Sequence, residues 1–532
     1  MSSSHKLVIK DAVRQLFGRL ISALFGFVIT KIIASYLGPL RYGDYGTIFR
    51  YFARRTALVD FGIYVIAVKQ LGALKEQAEP TSLTNSPPLA GQKDESNSSP
   101  SLNETYHKFL GIRTFLIISV YTLAIITAYL IPAYTDNQFI VRGLPFAMMY
   151  SASNMFVGIQ QLPLQLFRKM NKLSWSLIIA RFSQLAVLLP TVYWLFKDTD
   201  FETAEPASPT LVIAFCMVVF SVVASSIGQN VEIHHRSKSL LPFKIDIDFS
   251  FIKNLFKKNR KYGFSYFFSS FHTLIVLMFL GRFFPTSEGF KYVGFRALAL
   301  SLIEILLIIP SSLGNSLLHK IPNYQLDHKK KSFGNLLTIV VRIGIIVAIN
   351  FCVFDTQIIQ IVSSSDFLGS RISLSHRGAN QILPFLGIVL VLSFIKQCYN
   401  YLFVATDEQN ILFKNNVTGV ILGVLLGLIV IPKRNLLGGV ITQIFIECIY
   451  TFGAIRIAHR RNLSPTLPKR PFRILISILI IACGLGLGIN YYLSGKETNL
   501  ITFFAFALIF NSLIAFVSFK PVKQVAKGLT ID

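Results

Sequence analysis

Residues 48–71 read IFRYFARRTALVDFGIYVIAVKQL. The run is long and apolar enough to cross a bilayer as a helix, yet it carries Arg50, Arg54, Arg55 and Asp60. One Arg at a helix centre costs about 2.5–3.5 kcal/mol on insertion scales. At ~1.5 Å per residue, Arg50 lies ~10 Å from one end of the segment, and Arg54 and Arg55 lie near its middle. Snorkelling does not easily bring such groups to water. They must face a wet cavity or a partner. Arg50 and Arg54 are four apart and share a helix face, with Arg55 around the side.

The same kind of run recurs along the chain. Of 532 residues, 52% are hydrophobic, 47 are Phe and only 15% are charged, which is too apolar for an ordinary soluble protein. Spans are expected near 11–36, 43–71, 107–132, 138–162, 173–196, 209–231, 260–283, 290–318, 333–354, 380–404, 409–431, 436–458, 471–492 and 499–519. Lipid offers the backbone no hydrogen-bond partner, so these runs must be helical. The expected class is an all-α polytopic membrane protein of about fourteen transmembrane helices. The first apolar run continues to Ala34 with no small-residue cleavage site, so it reads as a retained span rather than a signal peptide. Cys216, Cys352, Cys398, Cys448 and Cys483 each fall in an apolar run without metal-type spacing, and read as small packing residues. No cofactor or metal site is indicated.

The net charge of +26 would suggest nucleic acid in a soluble protein. Here it sits mostly in loops. One set of loops, with both termini, holds about thirty Lys and Arg and the other about nine, which places both termini in the cytoplasm without invoking nucleic acid. Residues 76–104, rich in Ser, Pro, Asn and Glu, read as a disordered cytoplasmic loop.

An internal echo is present. SALFGFVITKIIASYLGPLRYGDYGTIFRYF, from Ser22, and SSFHTLIVLMFLGRFFPTSEGFKYVGFRALAL, from Ser269, share an order of features. Leu37-Gly38 matches Leu280-Gly281, Tyr45-Gly46 matches Tyr292 through Gly294, and Arg50 matches Arg296. The copies are six spans apart and so run the same way. That describes two parallel bundles related about the membrane normal, with a site between them.

These residues resemble the polysaccharide-biosynthesis (Wzx-type) flippases of the MOP exporter superfamily, beside the MATE exporters and the MurJ lipid II flippases. The resemblance rests on SYLGPLRYGDYGTIF followed by LVDFGIYVIAVKQLG, with Tyr36 to Gly43 its most specific element. It implies two six-helix lobes around a central cavity, plus two C-terminal helices. Residues 1–240 would form the first lobe, 241–462 the second and 463–532 the last two spans with a basic tail. It also implies a bacterial inner-membrane location and transport of a polyprenyl-pyrophosphate-linked oligosaccharide from the inner to the outer leaflet. Glycan-assembly enzymes are implied partners. The cationic cavity would be lined largely by spans one, two, seven and eight.

Arg binds phosphate oxygens with a planar fork and stays charged at physiological pH. Arg19, Arg50, Arg54, Arg55 and Arg296 are therefore the candidate pyrophosphate grip. Lys31, Arg181, His272, Arg342 and Lys396 are secondary candidates. Cations outnumber acids in this set, and an anionic guest would complete the balance. Plainer readings stand beside these. Arg54 or Arg55 pairs with Asp60 or Glu304; Arg19 and Lys31 snorkel; Arg181, Arg342 and Lys396 are structural. His272 is a packing residue or a proton relay, and Asp60 an ion-pair partner or a coupling site. Pro310 is expected to kink span eight. Two other functions remain open: another MOP-type exporter, with lipid II among its substrates, and a membrane glycan polymerase or ligase. For the enzyme, the outer loop 355–379 offers only Asp355, Asp366, Arg371, His376 and Arg377.

Overall fold

A run of 58 residues, Ser3–Asp60, is helical from end to end except at Gly38, where φ is 64° and ψ 173°. Unbroken, it would be ~87 Å long, against a hydrocarbon core of ~30 Å. Glycine tolerates this positive φ at no steric cost, and Pro39 follows at the first position of the next helix, where its missing N–H is no loss. The break separates spans one and two as the sequence divides them. The computed structural model describes residues 3–78, 101–167, 169–199, 201, 208–257, 263–264, 268, 276, 279–280, 286–318, 326–369, 378–406, 408 and 411–466.

The second long run, Leu412–Arg460, breaks at Asn435, with φ 49° and ψ −128°, next to Pro432. Its two limbs fold back on each other. A Cβ added to Gly419, Gly423 or Gly427 would meet Tyr450, Ile446 and Thr442 in turn, and one on Gly453 would meet Asn415. The paired numbers fall on one side as they rise on the other, which is the signature of an antiparallel hairpin. Small residues every fourth position let the two helices approach closely, as is usual in membrane packing.

Among the described residues, eight helices are long and apolar enough to cross a membrane, and the two longest each hold two expected spans. Gln138–Gln160 supplies the expected fourth span. Expected spans thirteen and fourteen, and most of span seven, lie outside the described residues. Every element described is helical or a turn of helix. Leu102–Tyr129 begins inside the segment expected as loop, because Ser101 caps it: its Oγ accepts from the Glu104 N–H at 3.2 Å. Span eight is interrupted at Leu307, between Thr286–Leu306 and Ile308–Leu318. Pro310 cannot donate to the carbonyl four residues back, which accounts for the expected kink.

Packing sorts the spans into two groups. Spans one to six contact one another, chiefly five on six, four on six and one on five. Span eight packs on ten and on the final hairpin, and nine packs on ten. The largest contact between the groups joins Ser3–Asp60 to Thr286–Leu306. There a Cβ on Gly43 would overlap the Phe290 carbonyl oxygen, and one on Gly294 would overlap that of Pro39. Gly46 similarly faces Ala297. The two stretches that echo each other in sequence are therefore the ones that touch.

Both ends of this seam carry aromatic packing. At the Gly38 end, the loop after Leu326–Val353 folds into Asp355–Val362 and a short turn at Ser365–Phe367. Phe367 is fully buried, with its ring 5.6 Å from Tyr42 and 6.0 Å from Phe295. At the other end the second span stops at Phe61 (φ 41°) and Gly62 (φ 75°). Phe61 packs on Phe256 at 4.9 Å and on Phe264 at 5.4 Å.

Candidate functional site

The charged groups inside the spans fall into two sets. The first is paired. Arg41 and Asp44, one turn apart at the head of span two, form an ion pair at 3.1 Å, and Asn137 also donates to Asp44. Arg113 of span three donates Nη2 to Asp60 at 2.7 Å and Nη1 to the Val59 carbonyl at 3.0 Å. Lys396 of span ten meets Glu447 of span twelve at 2.7 Å. In each case the opposite charge removes most of the cost of burial, and losing one partner would strand the other.

The second set has only neutral partners among the described residues. Arg50 is buried, and its Nη2 donates to the Ala297 carbonyl at 2.9 Å, across the seam into span eight. Its Nη1 is buried without an acceptor among the described residues. Arg181 donates Nε to Ser22 and Nη1 to Gln184, both at 3.3 Å. Arg55 donates to the Tyr51 carbonyl at 2.9 Å and lies over the Tyr51 ring at 3.5 Å. Tyr45 is within Coulombic reach of both Arg50 and Arg181, and Tyr150 within reach of Arg181 and Glu304. Glu304 is exposed and makes no ion pair among the described residues.

The candidates named from sequence scatter across these sets. Arg181 shares a cavity wall with Tyr150, Phe49 beside Arg50 packs on that Tyr150 ring at 5.4 Å, and Glu304 stands exposed on span eight. Arg55 does not join Arg50: it turns to the span-three side, where Tyr51 bonds the Ala124 carbonyl. Asp60 takes Arg113 as its partner, so neither Arg55 nor Glu304 supplies its counter-charge. Arg296 is fully buried within the second group and donates to Gln443 at 2.6 Å. Arg342 is buried in span nine. Lys31 is exposed on the same face as Leu24 and Val28, an apolar stripe. His272, and the side chains of Arg19 and Arg54, lie outside the described residues. Of the loop residues considered for catalysis, Asp355 accepts from the Thr356 hydroxyl at 3.0 Å and Asp366 from that of Ser364 at 2.7 Å; Arg371, His376 and Arg377 lie outside the described residues.

Arg41, Asp44, Arg113 and Glu447 were not singled out by sequence. Arg113 and Glu447 are lone charges in apolar runs, the same signal that singled out Arg181, and Arg41 and Asp44 are an i, i+3 pair. What could not be read was which charges meet between spans.

A family model described as polysaccharide biosynthesis protein matches residues 8–312. No curated protein matches the chain. Among solved structures, the fold is similar to that of the lipid II flippase MurJ in an inward closed conformation, with a TM-score of 0.66 at 13% identity, covering 97% of this chain and 100% of that one. It is similar to a multidrug resistance MATE family transporter of the MOP superfamily in an inward-facing conformation, at TM-score 0.55 and 13% identity, with 85% and 99% of the two chains covered. A MOP superfamily transporter from Pyrococcus furiosus gives TM-score 0.55 at 12% identity, with 93% and 98% covered. The shared architecture is thus that of multi-pass MOP-type transporters.

Proposed function

The chain belongs to the polysaccharide biosynthesis protein family, and on that footing we propose that it is a flippase for a polyprenyl-pyrophosphate-linked oligosaccharide. The headgroup is held by guanidinium groups between two lobes, residues 1–240 and 241–462, and rocking of the lobes carries it from the inner to the outer leaflet. Both termini face the cytoplasm in this reading, and residues 463–532 supply the last two spans.

One observation carries the proposal. Arg50 is buried at the seam with no carboxylate partner among the described residues, while Arg41, Arg113 and Lys396 each have one. A pyrophosphate diester supplies the missing negative charge, and Arg is suited to it because its fork takes two phosphate oxygens at once. Arg50 is the leading contact, since it already lies across the seam and keeps a buried donor without an acceptor among the described residues. Arg19 and Arg54, on the same two spans, complete the proposed set; Arg55 and Arg296 join it only by leaving Tyr51 and Gln443, which hold them here. A drug-cation exporter would want an excess of acids here, which this cluster does not have.

The test is leaflet transfer. Purified protein in liposomes should move a fluorescent polyprenyl-pyrophosphate glycan between leaflets, leaving it chemically intact. Extension or cleavage of the glycan would instead favour an enzyme. Equal transfer of a neutral polyprenyl glycoside would remove the pyrophosphate from the recognition.

A further inference from the structure

Inside the first group of spans, off the seam, lies a cavity of about 400 Å³. Its polar lining comes from four spans and includes Ser22, Asn154, Gln161, Arg181, Ser225 and Gln229, with Tyr150 at its border. The volume is within the usual range for small-ligand sites, ~300–1,000 Å³. It is far larger than the ~30 Å³ share of one water, and so larger than a simple halide needs.

The chemistry of the wall is specific. Carboxamides and hydroxyls both donate and accept hydrogen bonds, which matches the alternating hydroxyls of a sugar ring. Among the described residues, no carboxylate lines the cavity and Arg181 is its one cation. The side chain of Arg181 hydrogen-bonds only Ser22 and Gln184 among the described residues. A polar pocket among membrane spans is costly to keep, and a half-buried guanidinium without a carboxylate partner among the described residues more so. Such a feature reads as a ligand site by default.

We propose that this first-lobe cavity receives a sugar residue that carries a carboxylate, with Arg181 holding the carboxylate and the carboxamides of Asn154, Gln161 and Gln229 bonding the ring hydroxyls. The inference rests on the flippase reading for its biological source, because in a lipid-linked glycan the sugars follow directly after the pyrophosphate. Phe49, next to Arg50, packs on Tyr150 of the cavity wall at 5.4 Å, which marks how near the two sites lie. The headgroup at Arg50 would leave the adjoining sugars beside the cavity. The substrate class is then an acidic glycan.

Binding can be measured without transport. The full-length protein in detergent is titrated with sodium glucuronate, glucose or sodium pyrophosphate at matched ionic strength, and affinity is read by calorimetry. Glucuronate is expected to bind about tenfold tighter than glucose, the size of one charge-assisted hydrogen bond. Arg181→Gln should erase that preference while pyrophosphate binding stays within about twofold. Ser225→Leu, which fills the cavity and leaves the charge alone, should weaken glucuronate by the same factor. Equal binding of glucuronate and glucose overturns the proposal, as does no sugar binding at all. Loss of pyrophosphate binding in Arg181→Gln also overturns it, by making the cavity the headgroup site. Glucuronate binding with no leaflet transfer would leave the cavity assigned and refute the flippase reading instead.

Discussion

Arg50 donates Nη2 to the backbone carbonyl of Ala297, 247 residues away, at 2.9 Å. A charged donor from span two thus bonds the backbone of its repeat-related neighbour, span eight. The bond can form only while the two helices are packed, so it belongs to the state in which this end of the seam is closed. Reaching the other state requires breaking it. A hydrogen bond to a charged group contributes about 1.5–3 kcal/mol.

Arg50→Ala is therefore expected to have two separable effects. Leaflet transfer of the lipid-linked glycan should fall by at least about tenfold, because the proposed headgroup contact is gone. Arg50→Lys keeps the charge without the fork and should recover only part of the rate. Membrane insertion should be normal in both variants. Wild-type transfer in Arg50→Ala would take this residue out of the site.

Gly43 and Gly294 set how closely spans two and eight approach. A Cβ at either meets backbone, which cannot swing aside as a side chain can. Gly294→Ala should hold the Gly38 end of the seam apart, at a cost of about 1–3 kcal/mol to the closed packing. A cysteine probe placed at Tyr42 should then label faster in Gly294→Ala than in the parent. Unchanged labelling would mean that the seam closes without this contact.

Asp60 and Arg113 provide a test of structure against coupling. Removing one member of a buried pair costs about 3–5 kcal/mol, because the other charge is left uncompensated. Arg113 is 1% exposed, so Asp60→Asn and Arg113→Met should each lower the melting temperature sharply. The double variant should be less destabilised than the sum, since no orphan charge remains. If Asp60→Asn melts as the parent does but uncouples transport from an ion gradient, the pair is a coupling site and not a brace.

How much of this was legible in the chain differs from residue to residue. Some helix ends were, because they depend on neighbours: Gly38-Pro39 falls between the first two expected spans, and Pro310 interrupts span eight as expected, whereas the start at Ser101 was missed because the Ser- and Pro-rich composition before it masked the cap. The echo implied two parallel bundles with a site between them, but not that the echoing segments themselves pack glycine to backbone. Charge pairing was not legible. Asp60 and Arg113 are 53 residues apart, and Lys396 and Glu447 are 51 apart. Hydropathy marks such residues as anomalous and says nothing of which one faces which. The equivalence of Arg50 and Arg296 failed for the same reason: the backbones correspond, but one side chain crosses the seam and the other turns to Gln443.

Outside the spans, Asp248 caps the helix at 249–257. The Phe251 N–H, then the Ser250 hydroxyl, and also Lys108, hold its carboxyl well below the usual range, at about 2. A depressed folded value means the cap's contribution is complete above the ordinary carboxylate value of ~3.9 and lost as pH falls through about 2. Protection of the 249–257 amides from hydrogen exchange, corrected for intrinsic rate, should be flat from pH 5 to 8, a range anchored by ~3.9 as its lower limit. Asp248→Asn should reduce it across that whole range. A protection that varies with pH there would mean another group sets the cap.

The most direct measurement is transfer of a fluorescent polyprenyl-pyrophosphate glycan across liposomes holding the wild-type protein, followed by quenching from one side only. The account predicts that the protected fraction becomes accessible with wild-type protein, about tenfold more slowly with Arg50→Ala, and not at all in protein-free vesicles. A protected fraction that stays constant with wild-type protein, or one that changes at the same rate when the pyrophosphate is replaced by a neutral link, would contradict it.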